Sequence, residues 1–425
     1  MPHNSNDKRI LIVCAQFPPF YPSYGGLARM LHLSKHLTEH NWNVSVCSDI
    51  GNVNYGWFGY ETLEKKILHF FFNTGKSSFT ENKKEPGKLF LLIRKYLSTI
   101  QKELLIPDYT VIKFKKIKST INEAIDAANP SIVLFSGPPH GILLHTSWVK
   151  EKYPEIKIIV DYRDTWNTQE IFRKNYFLLR FIEEYLERRS VSKADMVVCA
   201  SPNGTENLNK FFKGLPKTNV ETIYNGYDQK NIAKIVEPLP TSDKVIIGYF
   251  GAISDQRSSY RSIRFLLNLI QSHSNFFKKF EFWFFGDIHM SEEQLWEHPA
   301  IKIKRSVSNK EALVLMKECT ALLVVHTDEK SGNEPIPGKI YDYLASGKPT
   351  LAFLPRNSAS TEILAEVGNA IILDYQKPDE IMTFFRSIAE GAQKFPSLKP
   401  SKLSKYTREN QCNKYRTLLE SLLSP

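Results

Sequence analysis

The feature that most constrains this chain is an alternation of short apolar runs with longer stretches of helical periodicity, laid out in two successive series. Residues 9–15 read as a buried strand, followed by a Pro-rich loop that ends in Gly25-Gly26. In 27–40 the apolar residues Leu27, Met30, Leu31, Leu33 and Leu37 keep mostly to helical spacing, and 43–47 resume a β-rich run. Further strands are expected at 131–136, 156–161, 195–200 and 221–224. A second series begins near Lys244, with strands at 245–250, 280–285, 301–303, 321–325, 350–354 and 370–373. Strands that alternate with helices imply parallel, doubly wound sheets.

The chain has 425 residues, 42% hydrophobic and 24% charged, an ordinary globular composition too long for one core. Residues 236–243, with Pro238, Pro240 and Ser242, form the natural linker. Two Rossmann-like domains are therefore expected, at 1–238 and 239–400, with a closing helix in 401–425. That helix carries Tyr415, Leu418, Leu419 and Leu422 on one face and should pack back on a neighbouring surface.

The longest apolar runs, such as 10–15 and 89–93, fall far short of the roughly 20 residues of a membrane-spanning helix. The polar start and the short run behind it do not read as a secretory signal, so a cytoplasmic protein is expected. Five scattered cysteines without a C-x-x-C pair argue against a disulfide frame or a zinc site. The formal charge of +11 is unevenly placed: residues 61–118 hold 13 Lys and Arg against 6 Asp and Glu. Such a segment is either an ordinary solvated surface or a patch for an anionic partner. Residues 88–97 interleave Leu89, Phe90, Leu91, Leu92, Ile93 and Leu97 with Lys88, Arg94 and Lys95, and Lys113, Lys115, Lys116 and Lys118 follow. A helix of this kind can lie on an anionic membrane at the inner face of the cell membrane. No nucleic-acid partner is expected.

In open α/β sheets ligands sit beyond the carboxyl ends of the strands, so four loops there carry the chemistry. Gly25 and Gly26 let backbone amides approach an anion. Ser136-Gly137-Pro138-Pro139-His140 places a histidine where it could donate to a sugar hydroxyl. In Asp161-Tyr162-Arg163-Asp164-Thr165-Trp166 two aspartates bracket Arg163 and leave the Trp166 face to a sugar ring, with a structural ion pair as the plain alternative. The fourth loop is the most specific: Glu334 precedes a helix that starts after Pro335 and Pro337 and stops at Gly347, and Asp342 lies on that helix. An anion can bind the positive helix end near Gly338 and Lys339, with a carboxylate on either side.

Together with Ala-Asp-x-Val-Val-x-Ala-Ser-Pro (194–202) and Asn-Gly-Tyr-Asp (225–228), these motifs resemble family 4 glycosyltransferases over almost the whole chain. The resemblance implies the GT-B fold, two Rossmann-like domains with parallel sheets facing a central cleft. It also implies transfer from a nucleotide-diphosphate sugar with retention of anomeric configuration, and neither metal nor cofactor. Matched to the family, Glu334 is the first carboxylate of Glu-x7-Glu, against the donor sugar, and Asp342 the second, for the ribose. The family's Arg and Lys beyond the first strand of the second domain correspond to Ala252 and Arg257. Arg257, helped by Arg261 and Lys339, is therefore expected to neutralise the diphosphate, with Gly25, Gly26 and Gly338 also on the donor side. His140 falls where the family often has a histidine facing the donor sugar; Arg163, Asp164 and Trp166 are expected at the acceptor or cleft side. Expected partners are the nucleotide-sugar donor and a glycan, lipid-linked or small-molecule acceptor of cell-surface polysaccharide synthesis. A nucleotide-sugar epimerase of the same fold and a non-catalytic sugar-binding protein are the rival readings.

Overall fold

The computed structural model describes residues 8–20, 28–50, 63–72, 105–215, 219–229, 244–254, 260–289, 292–326 and 333–424. Two compact units emerge: Met1–Tyr224 with Cys412–Pro425, and Asn225–Gln411. The expected linker at 236–243 and the basic run at 88–97 lie outside the described residues.

The first unit is built on a seven-stranded parallel sheet of β1 (Arg9–Cys14), β2 (Asn43–Ser48), β3 (Leu68–Phe71), β4 (Ile132–Gly137), β5 (Lys157–Tyr162), β6 (Met196–Cys199) and β7 (Val220–Thr222). Their order is β3-β2-β1-β4-β5-β6-β7. Successive side chains of a strand point to opposite faces, so a sheet covered on both sides needs strands that are apolar throughout. Accordingly Leu11, Val133, Val160 and Phe135 enter one core and Ile10, Ile12, Leu134 and Ile159 the other. No strand is expected from the sequence at β3, because it is an edge strand without a continuous buried apolar run, whose Leu68 is 56% exposed. Among the helices are α1 (Ala28–Glu39), α2 (Phe114–Ala128), α3 (Phe177–Val191) and α4 (Pro202–Phe211). Ser201 caps α4 by accepting from Gly204 N at 3.1 Å, and Pro202 sits in its first turn, where the missing N–H costs nothing.

The second unit carries β8 (Val245–Phe250), β9 (Phe280–Phe285), β10 (Ile301–Lys304), β11 (Ala321–Val325), β12 (Thr350–Phe353) and β13 (Ala370–Leu373). These six parallel strands run in the order β10-β9-β8-β11-β12-β13. Its helices include α5 (Tyr260–Ser272), α6 (Gly338–Ser346) and α7 (Ala359–Val367). The closing helix is α8 (Arg408–Leu423), whose Tyr415 and Leu419 are buried in the first unit's second core beside Ile10 and Ile12.

Both sheets are doubly wound and reverse direction once, between β1 and β4 in the first unit and between β8 and β11 in the second. These two switch points, at the carboxyl ends of the strands, are where such a sheet leaves a crevice for a ligand.

Two of the recurring motifs prove to be fasteners. Asp195 accepts from Lys150 Nζ at 2.9 Å and Ile158 N at 2.8 Å. In the other, Tyr227 N donates to Tyr406 O at 3.0 Å and Arg408 N to Tyr227 O at 2.8 Å, which ties 225–228 to the segment that opens α8. Gly226 adopts φ +69°, and a Cβ there would stand 2.9 Å from Arg408 N, so only glycine fits the clasp.

Candidate functional site

In the second unit the crevice opens where the β8–β11 ladder ends. Only Ala321↔Ile247 and Leu322↔Gly248 pair across it. Beyond them the Tyr343 hydroxyl from α6 fills the gap, accepting from Phe250 N at 3.1 Å and donating to Leu323 O at 3.0 Å. This buried bridge aims the N-terminus of α6 at the carboxyl ends of both strands. Gly347, at φ +72°, ends the helix in the left-handed conformation that its glycine supplies.

Glu334 lies in the loop ahead of α6 and is only 7% exposed. The start of α7 pins that loop: Ala359 N donates to Asn333 O at 3.0 Å and Ser360 Oγ to Pro335 O at 3.4 Å. Lys339, in the first turn of α6, places its Nζ 4.0 Å from the centroid of the Tyr249 ring. A Cβ on Gly251 would stand 2.9 Å from that ammonium, so the lysine lies directly over the turn that leaves β8. Gly251 itself has φ +147°. A partial positive helix end and a lysine therefore stand together beside a buried carboxylate. Gly338 is exposed and Asp342 half-buried one turn into the helix, while Arg261 stands exposed in the first turn of α5. Arg257, Gly25 and Gly26 lie outside the described residues.

No motif in the sequence marks His326, the first residue beyond β11. Burial, reinforced by the Lys339 charge, lowers its pKa to about 4, so it is neutral at pH 7. It lines a cavity of about 400 Å³ with Asn333, Arg356, Asn357, Asp374 and Tyr375, at the ends of β11, β12 and β13. The available signal was positional: a polar residue directly after an apolar run at a sheet's carboxyl edge.

In the first unit Arg163 spans the other switch point. Its Nη2 donates to Gln16 Oε1 beyond β1 at 3.3 Å and to Pro138 O beyond β4 at 2.6 Å. The aspartate bracket expected around it takes a different form, because Asp161 pairs instead with Arg29, Nη2 to Oδ2 at 2.8 Å, with both side chains buried. His140 and Trp166 are likewise interior, 3% and 1% exposed. Their rings stack at 5.6 Å and 9°, so protein already occupies the Trp166 face expected to be open to a sugar. His140 Nε2 donates to Asp164 O at 3.0 Å, which leaves Nδ1 as the acceptor of the neutral ring. Burial lowers the His140 pKa, partly offset by that backbone hydrogen bond. His140 and Asp164 thus hold the loop after β5 against the loop after β4, and Arg163 is the charged group this loop presents. Burial also raises the Cys14 thiol to about 12, which leaves it without nucleophilic character near neutrality.

Residues 24–231 match the family model described as Glycosyltransferase Family 4. No curated protein sequence matches the chain significantly. Solved structures share its fold over essentially the full length. The N-terminal domain of trehalose-6-phosphate phosphatase from Candida albicans aligns with a TM-score of 0.64 at 11% identity, over 100% of this chain and 99% of that one. Sucrose-phosphate synthase from Thermosynechococcus elongatus aligns at 0.63 and 11%, over 98% and 99%. The Anabaena protein HepE, solved with UDP and glucose, aligns at 0.61 and 13%, over 97% and 100%. Residues 24–231 thus resemble the family 4 glycosyltransferases, and the two doubly wound parallel sheets give the chain the GT-B fold.

Proposed function

We propose that the chain transfers a sugar from a nucleoside-diphosphate sugar to a glycan or lipid-linked acceptor, with retention and without a metal, in cell-surface polysaccharide synthesis at the inner face of the cell membrane. The observation that carries this reading is the grouping of Glu334, Lys339 and the start of α6 at the β8–β11 switch point. A departing diphosphate needs fixed positive charge, and an oxocarbenium-like sugar needs a carboxylate near its hydroxyls; a helix end with a lysine and a buried glutamate supply both. The solved Anabaena relative, bound to UDP and glucose, supports a nucleoside diphosphate as the donor's leaving group.

In this reading Lys339, Arg257 and Arg261 neutralise the diphosphate, Gly338 gives its oxygens access to the helix amides, and Asp342 holds the ribose. Glu334 accepts hydrogen bonds from the donor sugar. Gly25 and Gly26 are assigned to donor binding, His140 and Asp164 position Arg163, and Arg163 meets the acceptor. The C1–phosphate bond breaks as the acceptor oxygen bonds to C1 on the same face, and the acceptor proton passes to the leaving phosphate.

Screening nucleoside-diphosphate sugars by thermal shift and then by donor hydrolysis tests the assignment. The proton NMR coupling of the product's anomeric hydrogen tests retention. An inverted product, or activity lost to chelator and restored by magnesium or manganese, overturns the mechanism.

A further inference from the structure

Helix α3 is built inside out. Glu183 and Glu187 are both 0% exposed and face the core, whereas Phe177, Leu178, Phe181 and Tyr185 are 83%, 67%, 62% and 57% exposed. With Tyr176 and Ile182 they form one continuous stripe, because Phe177, Phe181 and Tyr185 follow i, i+4, i+8 and Leu178 and Ile182 flank them. Single exposed apolar residues are ordinary, but a contiguous aromatic and aliphatic stripe marks an interaction surface.

The charge beside the stripe identifies the partner's chemistry. Residues 173–193 hold six cations, Arg173, Lys174, Arg180, Arg188, Arg189 and Lys193, against three carboxylates. Two of those carboxylates, Glu183 and Glu187, and one of the cations, Lys174, are buried, so the surface that accompanies the stripe carries five cations against Glu184 alone and is cationic. A helix that presents Phe, Leu and Tyr beside Arg and Lys suits an interface of apolar chains and anionic headgroups, with tyrosines at headgroup depth. No helix among the described residues is long and apolar enough to cross a membrane.

We infer that α3 is a membrane-docking helix that lays Phe177, Leu178, Phe181 and Tyr185 into the surface of an anionic bilayer. This deepens the proposal of a membrane-bound acceptor and rests on it for its purpose, although the binding itself is independent of catalysis.

The test is sedimentation of the full chain with vesicles of phosphatidylglycerol and phosphatidylcholine, read beside donor hydrolysis without lipid. The wild type is expected to bind at low salt, and Phe177→Ala with Phe181→Ala to weaken binding about tenfold while hydrolysis and the far-ultraviolet spectrum stay unchanged. Replacement of Arg189 and Lys193 by Glu should weaken it further and flatten the salt dependence. Binding that survives in the apolar double variant overturns the assignment to α3 and transfers it to another segment. Absence of vesicle binding by the wild type overturns it outright, as does concentration-dependent dimerisation that the double variant abolishes, because the stripe is then covered by a second copy. Loss of donor hydrolysis in the wild type would instead count against the catalytic proposal.

Discussion

The Tyr343 hydroxyl receives the Phe250 N–H at 3.1 Å, directly beyond the last β8–β11 ladder pair, and passes a hydrogen bond to Leu323 O at 3.0 Å. One side chain thus replaces a ladder interaction at the point where the sheet must open for a ligand. Tyr343→Phe strands a buried N–H and a carbonyl, so it should destabilise the second unit by about 1–3 kcal/mol. It should also raise the donor KM more than it lowers kcat, because the α6 start loses its anchor. Denaturant unfolding and steady-state kinetics on the variant check both.

The two carboxylates should separate by effect. Glu334→Gln removes a buried negative charge beside the proposed sugar position and should lower kcat about a hundredfold with nucleotide affinity little changed. Asp342→Asn should raise the donor KM and nucleotide Kd about tenfold. Isothermal titration with the nucleoside diphosphate, alongside initial rates, distinguishes them; equal wild-type behaviour in both would remove the site assignment.

Lys339 and Gly251 form a second testable pair. Lys339→Ala removes the cation over the β8 turn and should weaken diphosphate binding about tenfold, most strongly at low salt. Gly251→Ala introduces a Cβ 2.9 Å from the Lys339 ammonium at φ +147°, where an L side chain is strained. It should lower both stability and donor affinity. Adding Lys339→Ala should relieve the collision but not the backbone strain, and a double-mutant cycle of melting temperatures measures the difference.

Asp161 joins distant parts of the chain: besides Arg29 it accepts from Tyr415 OH at 3.0 Å and Ser136 Oγ at 3.1 Å. Asp161→Asn leaves the Arg29 charge buried without its counter-ion and should cost about 3–5 kcal/mol. Tyr415→Phe removes one hydrogen bond and should cost about 1 kcal/mol. Chemical denaturation of the two variants gives the ranking.

Glu187 sets a pH dependence. Burial raises its carboxyl to about 7, opposed by hydrogen bonds from Asn167 N and Nδ2 and aided by Glu183. Because the folded pKa exceeds the unfolded one, near 4.5, the folded state binds more protons between them. Stability contributed by this group is therefore full below about pH 4.5 and is lost as pH rises through about 7. Glu187→Gln should reduce the fall in stability between pH 5 and pH 8 by on the order of 2 kcal/mol. Unfolding curves of both proteins at the two pH values test it.

What the amino-acid order determined by itself is the pair of parallel sheets and the most specific motif. Strands buried on both faces must be apolar throughout, so Val245–Phe250 and Ala321–Val325 could be read residue for residue, as could the apolar or aromatic runs Phe280–Phe285 and Ala370–Leu373. The start and stop of α6 follow from Pro337 and Gly347, which act locally. Tertiary structure decided whatever depends on which side chain meets which. Asp161, beside Arg163 in sequence, is claimed by Arg29 and Tyr415 from 132 and 254 residues away. Trp166 stacks on His140 rather than facing solvent, and Tyr343, an ordinary apolar position in helical periodicity, bridges two strands. The edge strand β3 and the inverted face of α3 were hidden for the same reason. Periodicity shows which residues share a face, while the neighbours supplied by the rest of the fold settle whether that face is buried.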